Sequence, residues 1–225
     1  MCLIVLAHAV PLVIAANRDE AHARPTLRGT WWDDAPDVIG GRDLRAGGSW
    51  LAVRRDGRFA AVTNVHGLPG SETAPSRGNL VRDFVTSHDA PLAFVERVAK
   101  RGDDYAGFHL LAGDAGRDIA HYTNAGGAPR LIEAGSIFAI SNAPCGESWP
   151  KTDRAIAAMH AALQEDDPAA PLMRFLTTRN GGDRRDEIFI VDPLYGTRAA
   201  TVIIVGTDGF LRYDERNFDP SGVPN

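Results

Sequence analysis

A chain of 225 residues, 44 % of them hydrophobic, is long enough to bury a substantial core without disulfides or metals. Its net charge of −5 argues against a general nucleic-acid binder, which would present a basic face. Its two cysteines, Cys2 and Cys145, form neither a disulfide framework nor a zinc motif, and they suit a reducing cytoplasm, the expected location.

The first twenty residues, MCLIVLAHAVPLVIAANRDE, contain two apolar runs. A secretory signal needs basic residues ahead of its apolar stretch, and none precedes Arg18. The run is broken by His8 and Pro11 and is shorter than the roughly 20 residues of a membrane span; no later stretch looks membrane-spanning. The pattern predicts two strands, 3–9 and 12–17, joined by a tight turn. Antiparallel pairing would then bring Cys2 beside the charged cluster Asn17–Glu20.

Residues 21–48, rich in Gly, Pro and Asp around Trp31 and Trp32, read as a long irregular segment of the kind that forms binding loops. A hairpin follows, strand 49–54, a turn at Arg55-Asp56-Gly57, and strand 58–64. Helical spacing marks SRGNLVRDFVTS and PLAFVERVAKR, with Ser76 and Asp89 as expected N-caps. Another hairpin is expected over 107–113 and 117–124, then a strand, SIFAISN, ending at Asn142. WPKTDRAIAAMHAALQ is a strong helix with Pro150 in its first turn, and a shorter helix fits 168–178. Strands are expected at DEIFIVD (186–192), TRAATVIIVG (197–206) and FLRYDERNF (210–218). Helices fall in groups rather than alternating singly with strands, which disfavours a doubly wound or barrel arrangement. Two mainly antiparallel sheets packed together with helices outside, an α+β class, fit better. No composition break marks a second domain, so 1–225 reads as one.

If Met1 is removed, the chain begins with a thiol and a free α-amine on one residue. The amine titrates near 7.7–8 and an ordinary thiol near about 8.5, so the amine can serve as base for a thiolate nucleophile. Arg18, if close, would favour the thiolate, and Asp19 or Glu20 could orient that Arg or the amine. Asn64 and Asn142, at strand ends, could donate to a developing oxyanion. Each feature has a plainer reading: Cys2 as a small buried residue, Arg18-Asp19-Glu20 as a solvated turn, the asparagines as turn formers, Cys145 as an exposed loop thiol.

At NRDE the chain resembles a known family, the NRDE or Tango2 (transport and Golgi organisation 2) family. GGRDLRAGGSWLAV with GRFAAVTNV resembles its central hairpin, SRGNLVRDF its first helix, SNAPCGESWPKTDRA its Ser-Asn…Trp-Pro-Lys segment, and EIFIVDPLYGTRAATVIIV with ERNFD its last strands. The blocks run in family order over nearly the whole chain. The resemblance implies a four-layer αββα sandwich of the N-terminal nucleophile (Ntn) hydrolase kind. It implies Cys2 as nucleophile, Arg18 as its arginine, Asn64 and Asn142 on the oxyanion side, and Arg198 as a second arginine. Related acylases place an Asp three residues after the Arg, where this chain has Ala21; Asp19 follows Arg18 directly. Glu20, Trp50, His66, Trp149 and Arg198 are expected to line the substrate site, with no metal and no cofactor. Two functions compete. One is a cysteine amidohydrolase acting on a non-peptide C–N amide of a small N-acyl compound. The other is a non-catalytic carrier of haem or an acyl lipid on the same fold. The oligomeric state is left open.

Overall fold

The computed structural model describes residues 2–206 and 211–225. In chain order the elements are β1 (Leu3–Ala7), β2 (Leu12–Ala21), β3 (Thr26–Trp32), β4 (Ala35–Asp43), β5 (Leu51–Arg54), β6 (Arg58–Asn64), α1 (Gly78–Val85) and α2 (Pro91–Ala99). They continue with β7 (Phe108–Asp114), β8 (Ile119–Thr123), β9 (Arg130–Leu131), β10 (Ile137–Ile140), α3 (Pro150–Ala162), α4 (Ala169–Leu176), β11 (Tyr195–Val205) and β12 (Leu211–Asn217). One sheet has the order β10-β1-β2-β11-β12 and the other β3-β4-β5-β6-β7-β8-β9, with every pairing antiparallel.

The period of two along β1 and β2 builds the layers. Leu3, Val5, Val13 and Ala15 pack against Met159 of α3 and Leu172 of α4. Ile4, Leu6, Leu12 and Ile14 face the other way and meet Leu51, Phe59 and Leu111 of the second sheet. That sheet's outer face, with Ala60, Val62 and Leu110, is covered by Leu80, Phe84 and Val85 of α1 and Phe94 and Val95 of α2. Helices, sheet, sheet, helices: the αββα sandwich is the observed architecture.

Four local expectations need correction. Residues 21–48 are not irregular; β3 and β4 pair across them, with two register shifts. Leu27 and Trp31 are exposed there, so the segment lacks the alternation that marks a half-buried strand. Residues 186–192 form no strand. Ile188, Phe189 and Ile190 are buried, but Asn17 Nδ2 donates to the Ile188 carbonyl (2.9 Å) and Ile190 N–H donates to Thr197 Oγ1 (2.9 Å), so side chains take bonds that a strand would give to a ladder. Neither Ser76 nor Asp89 caps a helix: α1 follows Arg77 and α2 follows Ala90, and Asp89 instead pairs with Arg97 (2.6 Å). Finally, β2 runs past residue 17 to Ala21. Arg18 pairs with Ala199, Asp19 with Thr197 and Glu20 with Gly196, so the charged cluster lies within a central strand. Phe210, expected in the last strand, lies outside the described residues.

Candidate functional site

Strand register assembles the first part of the site. Leu3 pairs with Asn17, and Ile4 with Ile140. Continuing both ladders past their last pairs sets Cys2 across from Arg18 on one side and Asn142 on the other. Opposite residues of an antiparallel pair share a face. Here it is the face of Ile4, Ile14 and Ile140, which fill the layer between the sheets. The three residues therefore stand at the end of that layer. The second sheet adds Asn64, the last residue of β6, and Trp50, just before β5. Cys2, Arg18, Glu20, Trp50, Asn64 and Arg77 line a cavity of about 210 Å³, with Arg24 and Asp43 bonded to each other at its wall (3.0 and 2.5 Å).

The sheets are tied together at this end. Thr63 Oγ1 donates to the Ser141 carbonyl (2.7 Å), Asn142 Nδ2 to the Asn64 carbonyl (2.7 Å), and His66 N–H to the Asn142 carbonyl (2.9 Å). Asn142 is buried, and one of its amide protons is committed to this tie. It lines a neighbouring cavity of about 500 Å³ together with His66, Leu68 and Tyr195. Asn64 and Arg77 line both cavities. Cys2, Arg18 and Asn64 thus share one cavity, while Asn142 opens into the next.

Arg18 is buried. Its guanidinium sits 4.2 Å from the Trp50 ring centre and 3.7 Å from a Glu20 carboxylate oxygen. Glu20 is the carboxylate beside Arg18. Asp19, one residue away on an extended strand, alternates to the helix-covered side, where its Oδ1 accepts from Thr197 Oγ1 (2.7 Å). The Asp19 carbonyl accepts from the Tyr195 hydroxyl (2.8 Å) and lies 3.8 Å from Cys2 Sγ, which donates to it. Arg18 favours the Cys2 thiolate as expected, but the net shift runs the other way: burial, with the Asp19 charge, pushes the thiol above its ordinary value and outweighs the amino terminus, the hydrogen bond to the Asp19 carbonyl and Arg18. Burial likewise holds the Arg18 guanidinium below its ordinary value, against the nearby Glu20.

The other expected substrate-binding residues scatter. Arg198 donates to the Arg24 carbonyl (2.5 Å) and lines a separate cavity of about 200 Å³, divided from Cys2 by Arg18 and Trp50. Trp149 is buried ahead of α3, edge-on to His66 at 6.4 Å between ring centres, and lines a surface cavity with Ser148 and Arg185. Cys145 is an exposed free thiol, in line with its plainer reading.

Sequence reasoning missed Arg77 and Tyr195. Arg77 donates to the Gly107 carbonyl (2.9 Å), and burial lowers its titration while Cys2 raises it. A lone Arg ahead of a helix and a Tyr in a Pro-Leu-Tyr-Gly turn carry no local signal of a site. Among the described residues there is no group of three or more His, Cys, Asp or Glu placed to hold a metal ion, and no helix is long and apolar enough to cross a membrane.

Comparison with known proteins agrees with this geometry. The sequence model described as Transport and Golgi organisation 2 matches residues 1–220. The Transport and Golgi organization protein 2 homolog of Bos taurus is 30 % identical, over 93 % of this chain and 87 % of the relative. Among solved structures, a Caenorhabditis elegans ortholog of N-acylethanolamine-hydrolyzing acid amidase superposes with a TM-score of 0.60 at 10 % identity, covering 97 % of this chain and all of that one. The conjugated bile acid hydrolase of Clostridium perfringens gives 0.55 at 10 % identity, over 95 % and 89 % of the two chains. These structural neighbours share the Ntn-hydrolase fold, and the match along nearly the whole sequence shows that the chain belongs to the Transport and Golgi organisation 2 family.

Proposed function

We propose that this chain is a cysteine amidohydrolase that cleaves a non-peptide C–N amide of a small N-acyl compound, acting in the cytoplasm without a cofactor. The carrying observation is the register that stands Cys2 next to Arg18 in the cavity shared with Asn64. In this reading Met1, which lies outside the described residues, is first removed. The Cys2 α-amine takes the thiol proton, and the sulfur attacks the carbonyl carbon. Asn64 fits the oxyanion donor better than Asn142, because its side-chain amide has no other partner among the described residues. The C–N bond breaks as the amine leaves with the α-ammonium proton. Water then attacks the thioester, releasing the carboxylic acid and regenerating the thiol. The names of the structural neighbours, an acid amidase and a bile acid hydrolase, supply the reaction class, and their 10 % identity supports the fold alone.

Two measurements test this. Intact mass should show the chain without Met1. A panel of chromogenic N-acyl amides should release acid with the wild type and none with Cys2→Ala. Retained Met1, or turnover untouched by Cys2→Ala, would overturn the reading.

One observation favours the carrier reading. A larger cavity with Val65, Leu68 and Pro69 on its walls adjoins the Cys2 cavity, sharing Asn64 and Arg77 with it. There His66 would offer haem iron a nitrogen ligand, and the apolar wall would take an acyl chain. A saturable Soret shift with haemin, lost in His66→Ala, would favour it over hydrolysis.

A further inference from the structure

The cavity beyond the wall made by Arg18 and Trp50 has no part in the proposed mechanism, yet it gathers three guanidinium groups. Arg18 of β2, Arg28 of β3 and Arg198 of β11 line its space of about 200 Å³, beside the polar side chains of Thr26, Asn217 and Asn225. No Asp or Glu side chain lines it. A bulge brings Arg198 there. Strand β2 pairs Asp19 with Thr197 and Arg18 with Ala199, so Arg198 is the extra residue between them. In a regular strand residues 197 and 199 would share a face. The bulge instead leaves Thr197 with Asp19 on the helix-covered side and sets Arg198 at the same cavity as Arg18.

These groups keep donors to spare. Arg18 is 5 % exposed and makes no side-chain hydrogen bond among the described residues. Its ion pair is with Glu20 at 3.7 Å, on the Cys2 side, and its buried Nη1 has no partner. Arg198 uses Nη1 on the Ala21 and Arg24 carbonyls (3.4 and 2.5 Å), which leaves Nε and Nη2. Arg28 gives Nη2 to the Asn225 side-chain oxygen (3.1 Å) and pairs with no carboxylate among the described residues. The main-chain carboxylate of Asn225 is within ion-pair distance of none of the three. Glu215 accepts from Asn217 (3.0 Å), the Gly29 N–H and the Tyr213 hydroxyl (both 2.7 Å), and does not itself line the cavity. Taken alone, Arg198 is a latch on the 21–24 carbonyls. A latch needs one nitrogen, and it explains neither the remaining donors nor the two other cations.

We propose that this cavity is a binding site for a small oxyanion, a carboxylate or phosphate group, held by Arg198 and Arg28 with Arg18 as the buried charge beside it. A guanidinium fork matches two oxygens of either group. Three cations around a small concave space raise the local concentration of anions. Arg28 is exposed and Arg198 half-buried, so the charges run from the rim inward to Arg18. At about 30 Å³ for each water-sized group, the space takes an oxyanion with its nearest waters. Arg18 and Trp50 divide the site from Cys2, so it stands or falls independently of hydrolysis.

The experiment is calorimetric titration of the full chain with inorganic phosphate and, separately, with succinate, at constant ionic strength set by sodium chloride. Saturable binding of either supports the site, and which of the two saturates names its group. Arg198→Gln and Arg28→Ala should each weaken that binding about tenfold, the loss expected for one charge-assisted contact. Arg101→Ala, an exposed arginine paired with Asp104, should leave it unchanged. No saturation with either anion, or wild-type affinity in a folded Arg198→Gln or Arg28→Ala variant, would overturn the proposal. A measurement on the unaltered chain guards against a variant that does not fold. Phenylglyoxal modifies accessible arginines, and peptide mass reads each one separately. The anion that binds should slow modification of Arg28 and Arg198 relative to Arg101. No slowing, or equal slowing at all three, would also overturn it.

Discussion

The Arg18 guanidinium carbon lies 4.2 Å from the centre of the Trp50 ring, and together they form the wall between the Cys2 cavity and the cavity holding Arg198. The aromatic face accepts a cation that has left most of its water behind, a contact worth up to about 2 kcal/mol when desolvated. Gly41 makes room for it, since a Cβ there would collide with the Trp50 indole. Arg18 still keeps one buried nitrogen, Nη1, without a hydrogen-bond partner among the described residues.

A buried cation held by a 3.7 Å ion pair and a ring contributes little to stability once desolvation is counted. Arg18→Met should therefore change unfolding free energy by less than about 1 kcal/mol in either direction. The same substitution removes a charge that favours the thiolate, so Cys2 alkylation near pH 7 should slow several-fold. Urea melts and labelling rates on one preparation check both. A loss above about 3 kcal/mol would instead assign Arg18 to holding the fold.

The raised Cys2 thiol gives stability a defined pH dependence. Below the ordinary thiol range, about 8.5, both folded and unfolded chains hold the proton and Cys2 contributes no slope. Above it the unfolded chain ionises first, so stability falls as pH rises toward the folded-state value. Urea melts from pH 7 to 10 should show that fall in wild type and a smaller one in Cys2→Ser. Exposed Cys145 should be alkylated before Cys2 at neutral pH in any chain that keeps Met1. Faster labelling of Cys2 in such a chain would contradict the burial argument.

Asn64 and Asn142 should separate by phenotype. Asn142→Ala breaks the tie to the Asn64 carbonyl in a buried setting and should cost about 1–3 kcal/mol. Asn64→Ala touches an exposed side chain and should leave stability within about 0.5 kcal/mol. If Asn64 donates to the oxyanion, its loss lowers kcat by about 10²–10³. Calorimetry and turnover of a responsive amide would expose the reverse pattern, which would return the donor role to Asn142.

Asn17, the first letter of the NRDE run, should prove structural. Its Nδ2 donates to the Leu176 carbonyl (2.7 Å) and the Ile188 carbonyl (2.9 Å), tying α4 and the 186–192 segment to β2. Asn17→Ala leaves two buried carbonyls unpaired and should cost about 2–4 kcal/mol, taking about 1–3 kcal/mol for each orphaned group less partial rescue by water. Asn17→Asp presents oxygen where both partners need a donor and should melt lower still. A milder effect for Asp than for Ala would mean that the carbonyls find other partners.

Some of this molecule is written locally. In β1 and β2 the apolar residues serve two faces, and in α1 Leu80, Val81, Phe84 and Val85 recur at helical spacing. Such periods follow from backbone geometry alone, so they were legible along with the pairing that brings Cys2 to Arg18. Family blocks such as SRGNLVRDF made the sandwich legible as well. Other features depend on partners far away in the chain. Asn17–Glu20 look like a solvated turn, yet β11, some 180 residues on, pairs with them and makes them the buried middle of a sheet. The 26–43 hairpin hides because its exposed Leu27 and Trp31 blur the alternation. Whether Asp19 or Glu20 meets Arg18 is a matter of strand parity, which requires knowing that the strand continues. Lys151 reads as an ordinary polar residue at a helix start, and only the packing of α3 over β1 removes it from water. Periodicity specifies which face of an element is apolar. Burial of a particular charge depends on what the rest of the chain lays against it.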